Sequence, residues 1–521
     1  MADTPELNVD GTPGVDQVGH LAKQSALLLS SGAISYVGSF VLHVVLARGL
    51  GKAGFGAWVV AFALARTLST LGLMGADWIV LRQGSYYQGI GDLARLRRTI
   101  HFALLLSGIM LSIFCVALFL AAPFVAEAAF EDKESITSLL RVTALIIPVM
   151  GIGQIMLFGT QAYKSMREFA LIKNILQPFA RLAFSAAALL IVTSVFSAFV
   201  GLALAEVFLM LASAYALNRR LPLIGPTAEI EQRGLIKFAL PVWGTKLVDI
   251  TRGQLFPVLL GSLTAFGASA AFAASQRIAV APSAIIAAFN QVYKPMGSDL
   301  YLQKRHTELA TLFKSIGKWS FALGFPLFCY QILFPEDILS IFGDAFRDAE
   351  PALVLLAVGM LFNFGTGPVA TTLIMSGRAK VAFIDHILVV GLEIVLAFWL
   401  IPAHGLVGAA AARMIGTAFN NTLRLVQVWM FMHIQPYRWD YWKPIAAGGI
   451  SAGMAWLVVE AAGIPNGVTT AVVAVSVIGA CYLGLLLLFG LSVEDRAAID
   501  PVLKRLRKGR NKKDSLQTRD V

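Results

Sequence analysis

From residue 22 to residue 491 the sequence is a succession of apolar runs, each long enough to cross a bilayer and each parted from the next by a short polar turn. About 20 apolar residues in helical form span the ~30 Å hydrocarbon layer. Lipid offers no partner to an exposed peptide group, so such runs are predicted to be α-helices. They lie near 22–47, 55–81, 99–127, 137–162, 170–193, 196–217, 236–260, 264–292, 315–335, 350–376, 381–402, 405–432, 444–463 and 467–491. A chain with 57% hydrophobic and 14% charged residues and a mean hydropathy of +0.73 is too apolar for a soluble enzyme. The fold class expected is an all-α polytopic membrane protein of about 14 transmembrane helices.

Loop charge sets the orientation. Arg82, Arg95, Arg97 and Arg98, then Lys164, Arg167 and Lys173, then Arg219, Arg220 and Arg233 fall on one side, as do Lys294, Lys304, Arg305, Lys314, Arg378, Lys380, Arg438 and Lys443. The positive-inside rule makes that side cytoplasmic, with both termini on it and the protein in the cytoplasmic membrane. The net charge of +11 then reflects topology and is no sign of nucleic-acid binding. Residues 1–19 hold no cleavable signal sequence. The basic tail, 492–521, with Lys504-Arg-Leu-Arg-Lys508 and Arg510-Asn-Lys-Lys513, is predicted to lie against anionic lipid. Cys115, Cys329 and Cys481 all sit inside apolar runs, which disfavours disulfides or a metal cluster.

Charge inside the helices is the next constraint. In Phe238–Tyr293, Lys246, Asp249 and Arg252 fall within an arc of roughly 120° on one helix face. Arg277 follows on the next helix, with Ala281, Ala284, Ala288 and Gln291 near its face. Each charge meeting lipid near the bilayer centre costs on the order of 2.5–3.5 kcal/mol, so these side chains must face protein or a watery cavity. Arg181 with Glu206, and Glu393 with Arg413, stand near mid-depth on neighbouring helices and are expected to pair. Asp249 is expected to pair along its own helix with Lys246 or Arg252. That leaves Arg66, Arg277, Arg424 and one of Lys246 or Arg252 without an acidic partner. His43 and His386, also within helices, read more simply as packing residues than as proton relays, and Trp58, Trp78, Trp243, Trp439 and Trp442 as interface anchors.

The sequence repeats. Phe55-Gly56-Ala57 recurs as Phe266-Gly267-Ala268, Arg66 as Arg277 and Ser165-Met-Arg167 as Ser376-Gly-Arg378, each pair 211 residues apart. Val200-Gly-Leu-Ala-Leu-Ala-Glu206 matches Val407-Gly-Ala-Ala-Ala-Ala-Arg413 after a small slip. Two six-helix lobes of like orientation are expected, related by an axis along the membrane normal. The expected units are an N-terminal segment 1–21, an N-lobe 22–220, a linker 221–235, a C-lobe 236–432, two added helices within 444–491 and the tail.

Ala47-Arg-Gly-Leu-Gly-Lys-Ala-Gly-Phe-Gly56, Leu71-Gly-Leu-Met-Gly-Ala-Asp77 and the basic Asp92-Leu-Ala-Arg-Leu-Arg-Arg98 loop resemble the opening of bacterial polysaccharide flippases. These belong to the multidrug/oligosaccharidyl-lipid/polysaccharide (MOP) exporter superfamily. Phe266–Tyr301 is similar to the same family, and the resemblance extends over roughly residues 20–490. It implies a two-lobe alternating-access carrier for polyprenyl-pyrophosphate-linked glycans. A cavity with surplus cations suits a pyrophosphate, which arginine grips through paired charge-assisted hydrogen bonds. The substrate residues expected on this basis are Arg277, Arg66, Lys246, Arg252, Asp249, Arg424 and Gln291. No P-loop, His-Glu-x-x-His or nucleophile elbow is present, so the chain is read as a transporter and not an enzyme. No cofactor is expected, and an ion gradient or the membrane potential supplies the drive. Expected partners are the lipid-linked glycan, anionic lipid, a polysaccharide polymerase and glycosyltransferases. The alternatives are a cation-coupled multidrug exporter of the same superfamily, the lipid II flippase branch, and a non-transporting scaffold for polysaccharide synthesis.

Overall fold

The computed structural model describes residues 15–129, 133–163, 166–437 and 439–490. The expectations for residues 1–14 and for the basic tail lie outside them. The first half of the chain holds α1 (Val15–Gly72), α2 (Ala76–Gly89), α3 (Leu93–Ala129), α4 (Lys133–Ala162), α5 (Met166–Ala170), α6 (Gln177–Ile191) and α7 (Val195–Arg220). The second half holds α8 (Gln232–Leu263), α9 (Phe266–Ala279), α10 (Ser283–Leu302), α11 (His306–Leu333), α12 (Pro335–Leu339), α13 (Glu350–Gly365), α14 (Val369–Met375) and α15 (Ala379–Met432). Then follow α16 (Trp442–Ala461) and α17 (Val468–Leu488). Among the described residues there is no strand.

Eight of these helices are long and apolar enough to cross a membrane, or eleven if each sharply bent pair is one span. This all-α polytopic membrane fold has fewer separate spans than the fourteen apolar runs, and the backbone explains the difference. Gly51 (φ 70°) and Gly405 (φ 53°) sit inside α1 and α15 in a region that side-chain-bearing residues avoid. Each lets a nominally single helix fold back on itself. His43 meets the rings of Phe55 and Trp58 across the first bend. Asp385 accepts a hydrogen bond from Gln427 Nε2, 2.7 Å away, across the second. The run expected at 264–292 is broken after α9, where Pro282 has no N–H to continue the ladder, and α10 leaves at 46°. The 32-residue α8 stands outside the eight and carries Lys246, Asp249 and Arg252.

The largest apolar core joins the two halves through Phe55, Trp58, Phe256, Phe272, Phe342 and Phe346. Backbones approach closely there, since a Cβ on Gly56 would stand 1.8 Å from the carbonyl oxygen of Phe266. The outward faces are apolar too: Leu120, Phe124, Leu190, Ile191 and Trp399 are all more than half exposed, as lipid-facing side chains are. Residues 221–231, which connect the halves, lie on the first. Arg97 donates from Nε to the Pro222 carbonyl at 2.8 Å and from Nη1 to that of Pro226. Arg95 Nε reaches the Glu229 carbonyl at 3.3 Å, and Leu221, Leu223 and Ile230 pack with Tyr87 and Leu96.

Candidate functional site

A cavity of about 860 Å³ opens between α1, α2, α4, α6 and α7 on one side and α8 and α9 on the other, with Arg413 of α15 in its wall. Its lining includes six basic side chains, Arg66, Lys173, Arg181, Lys246, Arg277 and Arg413, against two acidic ones, Glu206 and Asp249. Which of the six are neutralised decides what the cavity can hold.

Two ion pairs lie where the sequence suggested. Arg181 Nε stands 2.6 Å from Glu206 Oε1, bridging α6 and α7. Arg413 Nη1 stands 3.0 Å from Glu393 Oε2 across the α15 bend. Glu393 is wholly buried and is shared, for Arg252 Nη2 lies 3.1 Å from its Oε1. Gly416 makes room for this carboxylate: any Cβ there would fall 2.3 Å from Glu393 Cγ.

The pairing expected along α8 does not occur. Lys246 bonds to Asp77 of α2, a fully buried carboxylate that also accepts from Gln154 Nε2 at 2.9 Å. Asp249 Oδ1 lies 3.2 Å from His386 Nε2. Lys246 and Arg252 are therefore both paired, and neither is a free cation. The reason is geometric: residues three apart on a helix share a face, but a buried acid on a packed neighbour sits closer to the end of a long basic chain. Arg424 does not line the cavity. It donates from Nη2 to the Ala382 carbonyl at 3.3 Å and holds Nε 3.9 Å from Asp385 Oδ2. Gln291 lies on α10 beyond the Pro282 break, exposed, and does not line the cavity. Trp58 is buried, Trp58 and Trp78 line the cavity, and the half-buried Trp243 donates from Nε1 to the Leu71 carbonyl at 3.1 Å, so these three have other roles than the expected interface anchoring.

Three cations remain with no carboxylate partner among the described residues: Arg66, Lys173 and Arg277. Arg277 Nη2 lies 3.1 and 3.3 Å from the two ring nitrogens of His43. His43 Nδ1 is 2.6 Å from the Ser39 carbonyl oxygen, which only accepts. Nδ1 therefore carries the ring proton, and Nε2 is left to accept from Arg277. Tyr36 completes the mounting, its hydroxyl donating to the Arg277 carbonyl at 2.6 Å. Arg66 points into the cavity from α1 with its side chain unbonded among the described residues.

Lys173, which loop counting places in a cytoplasmic turn, is a cavity residue. It lies in a π-helical segment, Leu171–Leu176, between α5 and α6. Pro178 is the cause: it offers no N–H to the carbonyl of Asn174 and would clash with it in an α-turn, and a widened turn relieves both. The widening brings Lys173 and Gln177 to the cavity wall, and Asn174 Nδ2 ties the segment to Ser31 Oγ at 2.9 Å. A lysine five residues before a proline, inside an apolar run, is the mark of this placement in the sequence.

A family profile described as "Polysaccharide biosynthesis protein" matches residues 21–301, more than half of the chain. The chain belongs to this family. It is also 28% identical over 152 residues to stage V sporulation protein B of Bacillus subtilis (strain 168), a match spanning 29% of either protein. The chain thus covers under a third of the length of that relative. Among solved structures it is similar to the lipid II flippase MurJ in an inward closed conformation, with a TM-score of 0.70 and 14% identity over 89% of this chain and 98% of the other. It is similar as well to an inward-facing multidrug resistance MATE family transporter of the MOP superfamily, with a TM-score of 0.61 and 16% identity over 78% and 98%. A further neighbour is a MOP superfamily transporter from Pyrococcus furiosus, described by the reverse polarity of its binding pocket, with a TM-score of 0.53 and 16% identity over 79% and 95%. At these identities the likeness is one of fold. The polysaccharide biosynthesis chain shares the helical membrane fold of the MOP exporters.

Proposed function

We propose that the protein is an alternating-access flippase that carries a polyprenyl-pyrophosphate-linked oligosaccharide across the cytoplasmic membrane. The observation that carries this reading is the set of three cations, Arg66, Lys173 and Arg277, that line one cavity and pair with no carboxylate among the described residues, against a single acid, Asp249, whose partner is a histidine. Cations at membrane depth are costly without a counter-charge, and an anionic guest offsets that cost. Two guanidinium forks and one ammonium suit the oxygens of a diphosphate. The cavity lies within the usual range of roughly 300–1,000 Å³ for ligand sites, room for the diphosphate and the first sugars. Its aromatic wall, with Tyr36, Phe62 and Phe158, gives those sugars flat apolar faces. A cationic drug meets the wrong sign of charge.

The architecture that serves this function is two six-helix lobes, 22–220 and 236–432, joined by 221–235 and followed by the helix pair within 444–491. Fourteen spans result if α1 and α15 each count as two and α8 as one more. Close approach of Gly56 to Phe266, the counterpart of its neighbour Phe55, supports the repeat, since matching stretches meet only near a shared axis. The polyprenyl chain stays in lipid, an ion gradient or the membrane potential drives the cycle, and the 492–521 tail binds anionic lipid. A polymerase and glycosyltransferases act on the cargo before and after it crosses.

The test is accumulation of lipid-linked glycan on the cytoplasmic leaflet, measured beside protein abundance. Alanine at Arg66, Lys173 or Arg277 is expected to raise it at normal abundance. Full transport in all three variants would refute the assignment.

A further inference from the structure

The pairing of Lys246 with Asp77 joins the two halves of the chain, and its chemistry reaches beyond a static tie. Asp77 is wholly buried on α2. Its Oδ1 accepts from the Trp78 backbone N–H at 2.9 Å and its Oδ2 from Gln154 of α4 at 2.9 Å. The rings of Trp78 and Phe158 stand with their centroids 5.6 and 5.4 Å from the Lys246 nitrogen. Helices α2 and α4 thus build a box of one carboxylate, one amide and two aromatic faces, and α8 inserts an ammonium into it.

Any motion that draws α8 away from α2 and α4 removes the ammonium and leaves a buried carboxylate alone, which is strongly disfavoured. A substitute positive charge must arrive. The box suits a single charge: aromatic faces attract monovalent cations, whereas a divalent ion takes six or more oxygens, and among the described residues no group of three or more His, Cys, Asp or Glu could hold a metal. Among the described residues, the helices packed against the box bring no cation of their own to it. On α4 the facing group is the neutral Gln154. On α3 it is Ser107, bonded to the Leu73 carbonyl at 2.9 Å, with no titratable residue between His101 and Cys115. On α8 the next acid, Asp249, is turned to His386. Arg66 and Lys173 line the same cavity and are the cations assigned to the cargo.

We propose that the Asp77 box takes up one monovalent cation, a proton on the carboxylate or a sodium ion, each time Lys246 withdraws. Lys246 is then a tethered stand-in for the coupling ion, and parting of the halves is linked to ion uptake. This rests on the alternating-access reading above.

The test uses the full chain in lipid nanodiscs, with Cys115, Cys329 and Cys481 replaced by alanine and spin labels at Ile90→Cys and Leu302→Cys. Both sites are exposed, and they stand at the ends of α2 and α10. Distance distributions are recorded while sodium is varied at fixed pH, and while pH is varied in potassium. The ratio of wide to narrow separations is expected to rise up to about tenfold per tenfold rise of the effective cation. Which titration moves it identifies the ion. In Asp77→Asn/Lys246→Gln, which strands no charge, the dependence is expected to vanish. Persistence of the slope in that double variant overturns the proposal. A wild-type ratio that answers inorganic pyrophosphate but neither cation overturns the latch and leaves the carrier standing. A separation fixed under every condition refutes the carrier and the latch together.

Discussion

At the scale of single residues, the consequence of losing a charge depends on what it leaves behind. Arg277 has a histidine for a partner, so Arg277→Ala strands no acid and is expected to abolish transport at normal abundance. Arg277→Lys should restore only part of it, because a point charge replaces the fork that grips two oxygens. Both are read by lipid-linked glycan on the cytoplasmic leaflet. Arg181 behaves in the opposite way. Arg181→Glu sets two acids face to face with Glu206, and breaking a buried pair costs about 3–5 kcal/mol, so folded protein is expected to fall. Exchanging the pair, Arg181→Glu with Glu206→Arg, should recover it, measured by yield and thermal unfolding in detergent. The sequence discloses this pair, and Glu393 with Arg413, because opposite charges stand at equal depth on consecutive helices. It does not disclose Lys246 with Asp77 or Asp249 with His386. Those partners come from elements far apart in the chain, and helix periodicity says nothing of distant neighbours.

At the scale of elements, apolar length is readable and turn geometry is not. The halves of α1 and α15 appear in the sequence as separate runs, since glycine and polar residues interrupt them. The π-helical turn at Leu171–Leu176 leaves no mark in hydropathy. Pro178→Ala is expected to restore an N–H at that turn and let it relax to α-helix. Removing one residue from a widened turn rotates what precedes it by about 100°, taking Lys173 off the cavity wall. Transport should drop toward that of Lys173→Ala with abundance held or raised, and a Lys173→Cys reporter should lose labelling by a cavity-permeant thiol reagent when Pro178 is changed. Unaltered transport and labelling would mean that the proline does not set the turn.

At the scale of the whole molecule, short motifs spaced 211 residues apart are legible in sequence, and two of these matched stretches stand in one neighbourhood. Gly56 touches Phe266, and Arg66 and Arg277 line one cavity. What sequence comparison cannot convey is which half owns the connection between them. Arg97 and Arg95 bind residues 222–229 to the first half. This strap of residues 222–229 is therefore carried by the first body, and the peptide bond inside it is a convenience of synthesis. If so, the gene tolerates being cut there. Fragments 1–226 and 227–521, made separately in one cell, are expected to copurify and to transport, like a dimer whose subunits once shared a chain. Failure of the fragments to associate would show that the strap is a working hinge.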